Sequence, residues 1–321
     1  MKNVNSLYHL KALGFDIRYN ANIFKTFNDH FIRKLDKIIL WELFNHSRVL
    51  IIGNRDVFKI NTYGEDYYIR SLIDILTDLK CDVKFVKFNR RDNNKKEIIK
   101  LVKNEGFRHV LLHNVSLLDF YTLRKHNPSL LLVLIIYFTW NRSMPFHRNL
   151  LNNIGISIES RLADFLIVTS ENIARELKFL GVKNKIITLP PHYECKYCSL
   201  RKNIMKYEKL LRELPRIVKA TYIGSLNRKR FPLAKIIKLM RRDNRLFNLT
   251  IYTADNIGGH NYTINYGNIK VRIVKKILSE EEKCSILSDS HVFIAPCPRT
   301  TMDPPISVLE ALYHGNIIIT L

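Results

Sequence analysis

From Arg48 onward, short apolar runs rich in Val, Ile and Leu alternate with segments whose apolar residues recur at helical spacing. The runs at 48–53, 81–88, 109–113, 131–138, 164–168 and 185–189 read as strands, apolar enough to be covered on both faces. Between them, helices are expected around Tyr68–Leu76, over 90–102, 117–125 and 146–161, and from a Ser170 cap to a Gly181 stop. Strand–helix alternation of this kind predicts an α/β fold with a parallel, doubly wound sheet. The pattern breaks over residues 191–215, which hold a Cys-x-x-Cys pair and a lysine-rich helix ending at Pro215. It restarts with strands at 220–224, 249–252, 269–273, 291–295 and 317–320, and helices over 232–242, 279–288 and from Ser307 to Gly315. Four segments follow: an N-terminal helical extension (1–47), a first Rossmann-like domain (48–190), a linker (191–215) and a second Rossmann-like domain (216–321). Two such domains would face each other across a cleft, with ligands at the strand C-terminal edges.

Charge narrows the partners. Lys and Arg number 52 against 29 Asp and Glu, a net charge of +23. Such a field favours anionic partners: phosphate-bearing substrates, acidic lipid surfaces or nucleic acid. A solvated basic surface is the plain alternative. No run reaches the roughly 18 apolar residues needed to span a bilayer, and the N-terminus lacks the apolar block of a signal peptide. A cytoplasmic protein is expected, with peripheral contact at the inner membrane surface. In residues 28–43, Phe31, Leu35, Ile38, Ile39 and Leu43 lie on one stripe with Arg33, Lys34 and Lys37 between them. That helix either packs on its own domain or lies on an anionic membrane.

Five cysteines do not suggest a disulfide framework. Cys81, Cys284 and Cys297 read as buried packing residues. His192, Cys195 and Cys198 offer three zinc-type ligands on a short arc, but a second ligand pair is missing and an ordinary loop is the simpler reading.

Two stretches carry chemistry. In the first, Pro296-Cys-Pro-Arg-Thr-Thr-Met-Asp-Pro-Pro-Ile-Ser-Val-Leu-Glu-Ala-Leu-Tyr-His-Gly315, a proline-rich loop leads from one strand into a helix. The free amides and positive dipole of the helix start suit a phosphate or carboxylate, with Asp303 before the helix and Glu310 one turn in. In the second, Tyr222-Ile-Gly-Ser-Leu-Asn-Arg-Lys-Arg-Phe-Pro232, Arg228, Lys229 and Arg230 gather where another helix begins. That gathering would neutralise a diphosphate. Taken alone, the two are also compatible with an ordinary strand–loop–helix and a solvated basic turn.

Val308-Leu-Glu-Ala-Leu-Tyr-His-Gly-Asn-Ile-Ile-Ile319 resembles the donor-site helix of retaining GT-B glycosyltransferases of the family 4 type. In those proteins an acidic residue, seven intervening residues and a glutamate precede Ala-Met-Ala-x-Gly-x-Pro-Val. Glu310 matches the glutamate, which the resemblance assigns to the ribose hydroxyls. Met302 stands where the first acid belongs, so contact with the transferred sugar passes to Asp303. The segment after 222 resembles the family's diphosphate grip; Ser225 replaces its arginine and Arg230 stands nearest its lysine. Residues 163–171, 185–191, 278–282 and 288–296 resemble further family elements, so the likeness spans residues 48–321.

The resemblance implies a metal-independent hexosyl-type glycosyltransferase of the GT-B fold, which needs no cofactor and uses a nucleotide-diphosphate sugar as substrate. Asp303 and Glu310 are the catalytic candidates. Gly224, Arg228, Lys229, Arg230, Ile306, Ser307 and Glu310 would bind the donor. Gly53, Gly64, His113, Trp140 and His147 are candidates on the acceptor side, where the acceptor is lipid-linked or a polysaccharide. Family members continue past the position of Leu321, so a second domain shortened at its C-terminus is expected. Two other readings stand beside this one: a basic α/β protein that binds nucleic acid or a membrane surface, and a nucleotide-sugar-binding pseudoenzyme.

Overall fold

A computed structural model describes residues 38, 40–44, 46–58, 64–89, 94–137, 139, 145–191, 193, 195, 197–226, 231–255, 261–296 and 305–320. These fall into two compact units, residues 38–191 and 193–320.

In the first unit, strands β1 (Arg48–Gly53), β2 (Asp82–Lys87), β3 (His109–His113), β4 (Leu131–Ile136), β5 (Phe165–Val168) and β6 (Lys185–Thr188) form one sheet in the order β2-β1-β3-β4-β5-β6. All its pairings are parallel. The order reverses direction at β1 and β3, the position at which open α/β sheets bind ligands. Helices α1 (Gly64–Asp78), α2 (Lys95–Glu105), α3 (Leu123–His126), α4 (Phe146–Leu162) and α5 (Glu171–Phe179) connect the strands. Leu50, Leu112, Leu132 and Leu166, all fully buried, run through the core across four neighbouring strands. Truncating one of them to Ala would cost about 2–5 kcal/mol. Ser170 caps α5 as its residue type predicts, its hydroxyl accepting from the Ile173 amide. The expected helix over 117–125 is instead a 3₁₀ turn (Leu117–Asp119) followed by the short α3.

Before β1, the helical residues around 40–44 bury Leu40 and Phe44 and expose Ile38 and Trp41. The buried stripe is therefore not the predicted one through Ile38 and Leu43. Phe44 packs on His109 and Phe165, tying this segment to its own unit. The rest of the predicted amphipathic stripe lies outside the described residues.

The second unit holds α6 (Leu200–Arg212), β7 (Ile217–Ile223), α7 (Leu233–Met240), β8 (Leu246–Thr253), β9 (Tyr262–Tyr266), β10 (Ile269–Lys275), α8 (Glu280–Asp289), β11 (Val292–Ile294), α9 (Ile306–Tyr313) and β12 (Ile317–Ile319). Its sheet runs β12-β11-β7-β8-β10-β9, parallel except for the antiparallel edge strand β9. The switch point falls between β7 and β11, which pair through Ala220–Val292 and Thr221–Phe293. A capping box at Ser279 and Glu282 starts α8. Helix α9 is apolar on nearly every side and is buried accordingly. Among the described residues no helix is long and apolar enough to cross a membrane.

Candidate functional site

At the end of β7 the chain turns through Gly224, Ser225 and Leu226, all half-buried. Asp255, two residues past β8, holds this turn: its Oδ2 accepts from the Ser225 hydroxyl at 2.8 Å and from the Leu226 amide at 2.6 Å. From beneath, the Tyr222 hydroxyl donates to the Ser225 carbonyl at 2.7 Å, and its ring packs on Phe231 with centroids 4.1 Å apart. Gly224 is required by this arrangement, since a Cβ there would lie 2.8 Å from the Tyr222 hydroxyl. Beside it, β11 ends at Ile294 and α9 opens after Pro305. The two stretches singled out in the sequence thus leave adjacent strands at the C-terminal edge of one sheet.

Helix α9 presents the amides of Ile306 and Ser307 in its first turn, ahead of the first intrahelical hydrogen bonds. Glu310, one turn later, is buried and receives the Lys283 ammonium of α8 on Oε1 at 2.9 Å. Burial raises the Glu310 pKa, with Lys283 pulling the other way. Arg228, Lys229, Arg230 and Asp303 lie outside the described residues. The sequence reading missed Asp255 and Lys283. Asp255 follows a strand end and had that weak signal; nothing local couples Lys283 to a glutamate 27 residues away.

The first sheet's switch edge is built differently. His113, at the end of β3, is fully buried and bridges Asp66 (Nε2–Oδ1 3.0 Å) and Tyr137 (Nδ1–Oη 2.7 Å). A carboxylate only accepts, so Nε2 carries the proton towards Asp66. Burial holds the Tyr137 phenol well above its usual pKa and hence neutral, able to donate to Nδ1. Glu65 accepts from Arg55 at 2.8 Å and from Asn114 at 2.9 Å. Gly53 lies under the Phe85 and His113 rings, whose carbons would come within 2.9 and 3.1 Å of a Cβ. His113 and Gly53 are thereby placed together, but inside the unit. Gly64 is the first residue of α1. His147 is exposed in the first turn of α4, and Trp140 lies outside the described residues.

Two members of the predicted metal arc, Cys195 and Cys198, gather with Cys284 and His314 among the described residues, the four ligand atoms lying within 4.8 Å of one another. Cys284 is buried, as expected, yet its thiol joins a polar cluster and does more than pack. His192 and Cys297 lie outside the described residues. Burial pushes the Cys198 thiol up to about 12, which is unsuited to a nucleophile.

No protein-family model matches the chain, and no curated protein sequence matches it. Solved structures do. The lipopolysaccharide outer core galactosyltransferase WaaB, in its apo form, gives a TM-score of 0.56 at 13% identity, over 85% of this chain and 80% of WaaB. HepE of Anabaena in complex with UDP gives 0.53 at 9% identity, over 84% and 79%. The fold is that of the GT-B glycosyltransferases. An alpha-glucosyltransferase in complex with UDP-glucose and DNA containing an abasic site gives 0.51 at 11% identity, over 85% and 79%. At such identities the likeness is one of architecture, and a GT-B fold by itself does not name a reaction.

Proposed function

We propose that this chain is a glycosyltransferase that moves a hexosyl group from a nucleotide-diphosphate donor to an acceptor hydroxyl, with retention of anomeric configuration. One observation carries the reading: the two donor-like stretches, distant in sequence, follow the adjacent strands β7 and β11 at the switch point of a GT-B sheet. In the reaction the bond from the anomeric carbon to the diphosphate oxygen breaks and a bond to the acceptor oxygen forms. The acceptor's proton leaves with the nucleoside diphosphate. Charge builds on that leaving diphosphate, and preorganised cations and amides are the groups that lower such a barrier. Arg228, Lys229 and Arg230 supply the cations; the Gly224–Leu226 turn and the Ile306 and Ser307 amides supply N–H donors. Lys283 holds Glu310 through Oε1, and Oε2 takes the ribose hydroxyls. Asp303 contacts the transferred sugar. The transfer step itself needs no metal in this scheme.

The acceptor belongs to the first unit in this reading, with Trp140 and His147 on that side. Phe146, Leu150, Ile154 and Ile158 recur every four residues along α4 and are all exposed. An apolar stripe on a chain of net charge +23 suits a lipid-linked acceptor at an anionic, cytoplasmic membrane surface better than a polysaccharide in solution. Calorimetry with UDP-, GDP- and ADP-sugars tests the donor reading. One nucleotide class should bind saturably, and Glu310→Gln, which keeps an acceptor for Lys283, should weaken it about tenfold, or 1.4 kcal/mol. A folded chain that ignores all three and binds nucleic acid with a steep salt dependence would identify a basic binding protein instead. Donor binding without release of free nucleotide in the presence of acceptor would mark a pseudoenzyme.

A further inference from the structure

Three separated parts of the chain bring their sulfur and nitrogen atoms to one point. Cys195 and Cys198 come from the segment before α6, Cys284 from the middle of α8, and His314 from the C-terminal end of α9. Cys195 and Cys284 are nearly buried and His314 completely so. Four such groups converging beside a second-unit core of aliphatic and aromatic side chains are out of place as packing.

We infer that Cys195, Cys198, Cys284 and His314 form a structural zinc site. A tetrahedral ion with sulfur at about 2.3 Å and nitrogen at about 2.0–2.1 Å sets ligand–ligand edges of about 3.8 Å between sulfurs and about 3.6 Å from sulfur to nitrogen. The Cys198 Sγ to His314 Nε2 distance is 3.5 Å, and no pair among the four exceeds 4.8 Å. The surroundings are those of a metal centre. The His314 Nδ1 donates to the Glu310 carbonyl at 2.7 Å, which fixes the tautomer and leaves the Nε2 lone pair directed at the sulfurs. Amide N–H groups reach two of the sulfurs: Tyr197 N to Cys195 Sγ and Asn203 Nδ2 to Cys198 Sγ, both at 3.4 Å. Three thiolates around a dication leave one negative charge. The Lys206 ammonium, which bonds the His314 carbonyl at 2.9 Å and the Leu287 and Ser288 carbonyls at 3.0 Å, lies beside it.

The donor set selects the ion and its role. Three soft thiolates and one imidazole in a tetrahedron suit zinc, and four protein ligands leave no position for substrate or water. The site lies at the C-terminal end of α9, about 12 Å along the helix from the first-turn amides, so it takes no part in sugar transfer. Its work is to staple the segment before α6 to α8 and to the C-terminal end of α9, in place of a disulfide or a larger core.

The test uses the full chain, purified under reducing conditions without chelator. Plasma mass spectrometry should find one zinc per chain, retained in Cys81→Ser and lowered at least tenfold in Cys284→Ser and His314→Gln. Metal-stripped wild type titrated with Co(II) should develop tetrahedral d–d bands and near-ultraviolet thiolate charge-transfer absorption. Both should saturate at one equivalent and vanish on adding zinc, which keeps the test decisive if the variants fail to fold. Chelation should lower the melting midpoint by about 10 °C or more. A folded, zinc-free chain with no cobalt spectrum overturns the inference. So does a Cys195–Cys198 disulfide in the freshly isolated protein.

Discussion

Gly53, at the end of β1, lies under the rings of Phe85 and His113, whereas Gly224, at the end of β7, lies against the hydroxyl of Tyr222. Both glycines close the first strand of a parallel sheet at its switch point, and in both a side chain occupies the space a Cβ would need. The consequences diverge. In the first unit the rings lead inward to a buried network in which Asp66, His113 and Tyr137 satisfy one another. In the second, the tyrosine and Asp255 hold a turn that is only half-buried. One edge has been turned into core; the other is the edge to which the proposed function assigns the donor. Changes at the first should therefore cost stability and leave donor binding alone. Changes at the second should lower donor affinity as well, at a smaller cost in stability.

The largest expected effect is at the sealed edge. Asp66→Ala removes the partner of His113 Nε2 from a site that is 1% exposed. Leaving a buried polar group without its charged partner costs about 3 kcal/mol. Urea unfolding of the variant should show that loss, while the donor affinity of the folded protein stays within about threefold of wild type, a difference below 1 kcal/mol. A variant of normal stability with lost donor binding would reverse the comparison.

Acid probes the same unit through His109, whose ring is buried against Phe44. Among the described residues neither ring nitrogen has a hydrogen-bond partner. Burial, helped by Arg108, lowers its pKa from 6.5 to about 4. The unfolded chain binds the proton first, so this contribution is complete above pH 6.5, declines as the pH falls and is gone near pH 4. The total is on the order of 3 kcal/mol. His109→Leu should flatten the acid limb of the stability profile between those pH values; an unchanged limb would place the titrating group elsewhere.

How much of this was legible beforehand follows from how local each signal is. Buried parallel strands are continuous apolar runs, and the Ser170 cap and Pro305 before α9 are neighbours of the elements they start, so the alternation could be read directly. Strand β9, Tyr-Thr-Ile-Asn-Tyr, is an exposed edge strand paired on one side only; its residues carry no burial pattern to read. The donor-like stretches were found because each contains its own helix start. The zinc ligands could not be found together. Cys195 and Cys198 announce themselves by spacing, but His314 lies 116 residues beyond Cys198 and reaches it only once α9 is packed. His113 shows the same limit: the sequence offers a histidine at a strand end, and only the fold supplies Asp66 and Tyr137 to its two nitrogens.

A moderate effect is expected at the open edge. Asp255→Ala removes one acceptor shared by the Ser225 hydroxyl and the Leu226 amide. Both are half-buried and can turn to water, so the stability cost is only about 1–2 kcal/mol. The turn loses its shape, however, and donor affinity should fall about tenfold by calorimetry. Equal affinity in the variant would mean that the turn does not face the donor.

Tyr222→Phe gives the smallest change and the sharpest comparison. It removes the hydrogen bond to the Ser225 carbonyl but leaves the ring packed on Phe231, with its Cζ still 3.0 Å from where a Gly224 Cβ would lie. The loss of stability should be about 0.5–1 kcal/mol, with a threefold to fivefold drop in donor affinity, roughly 0.6–1 kcal/mol. Asp255 and Tyr222 both hold Ser225, one at its hydroxyl and the other at its carbonyl. If they fix one turn conformation together, the second removal costs less than the first, because the turn has already been released. A double-mutant cycle on donor affinity should then give a coupling of about 0.5 kcal/mol or more. Strict additivity would mean that the carboxylate and the phenol act on separate parts of the edge, and that Gly224 is kept for the fit of the tyrosine ring alone.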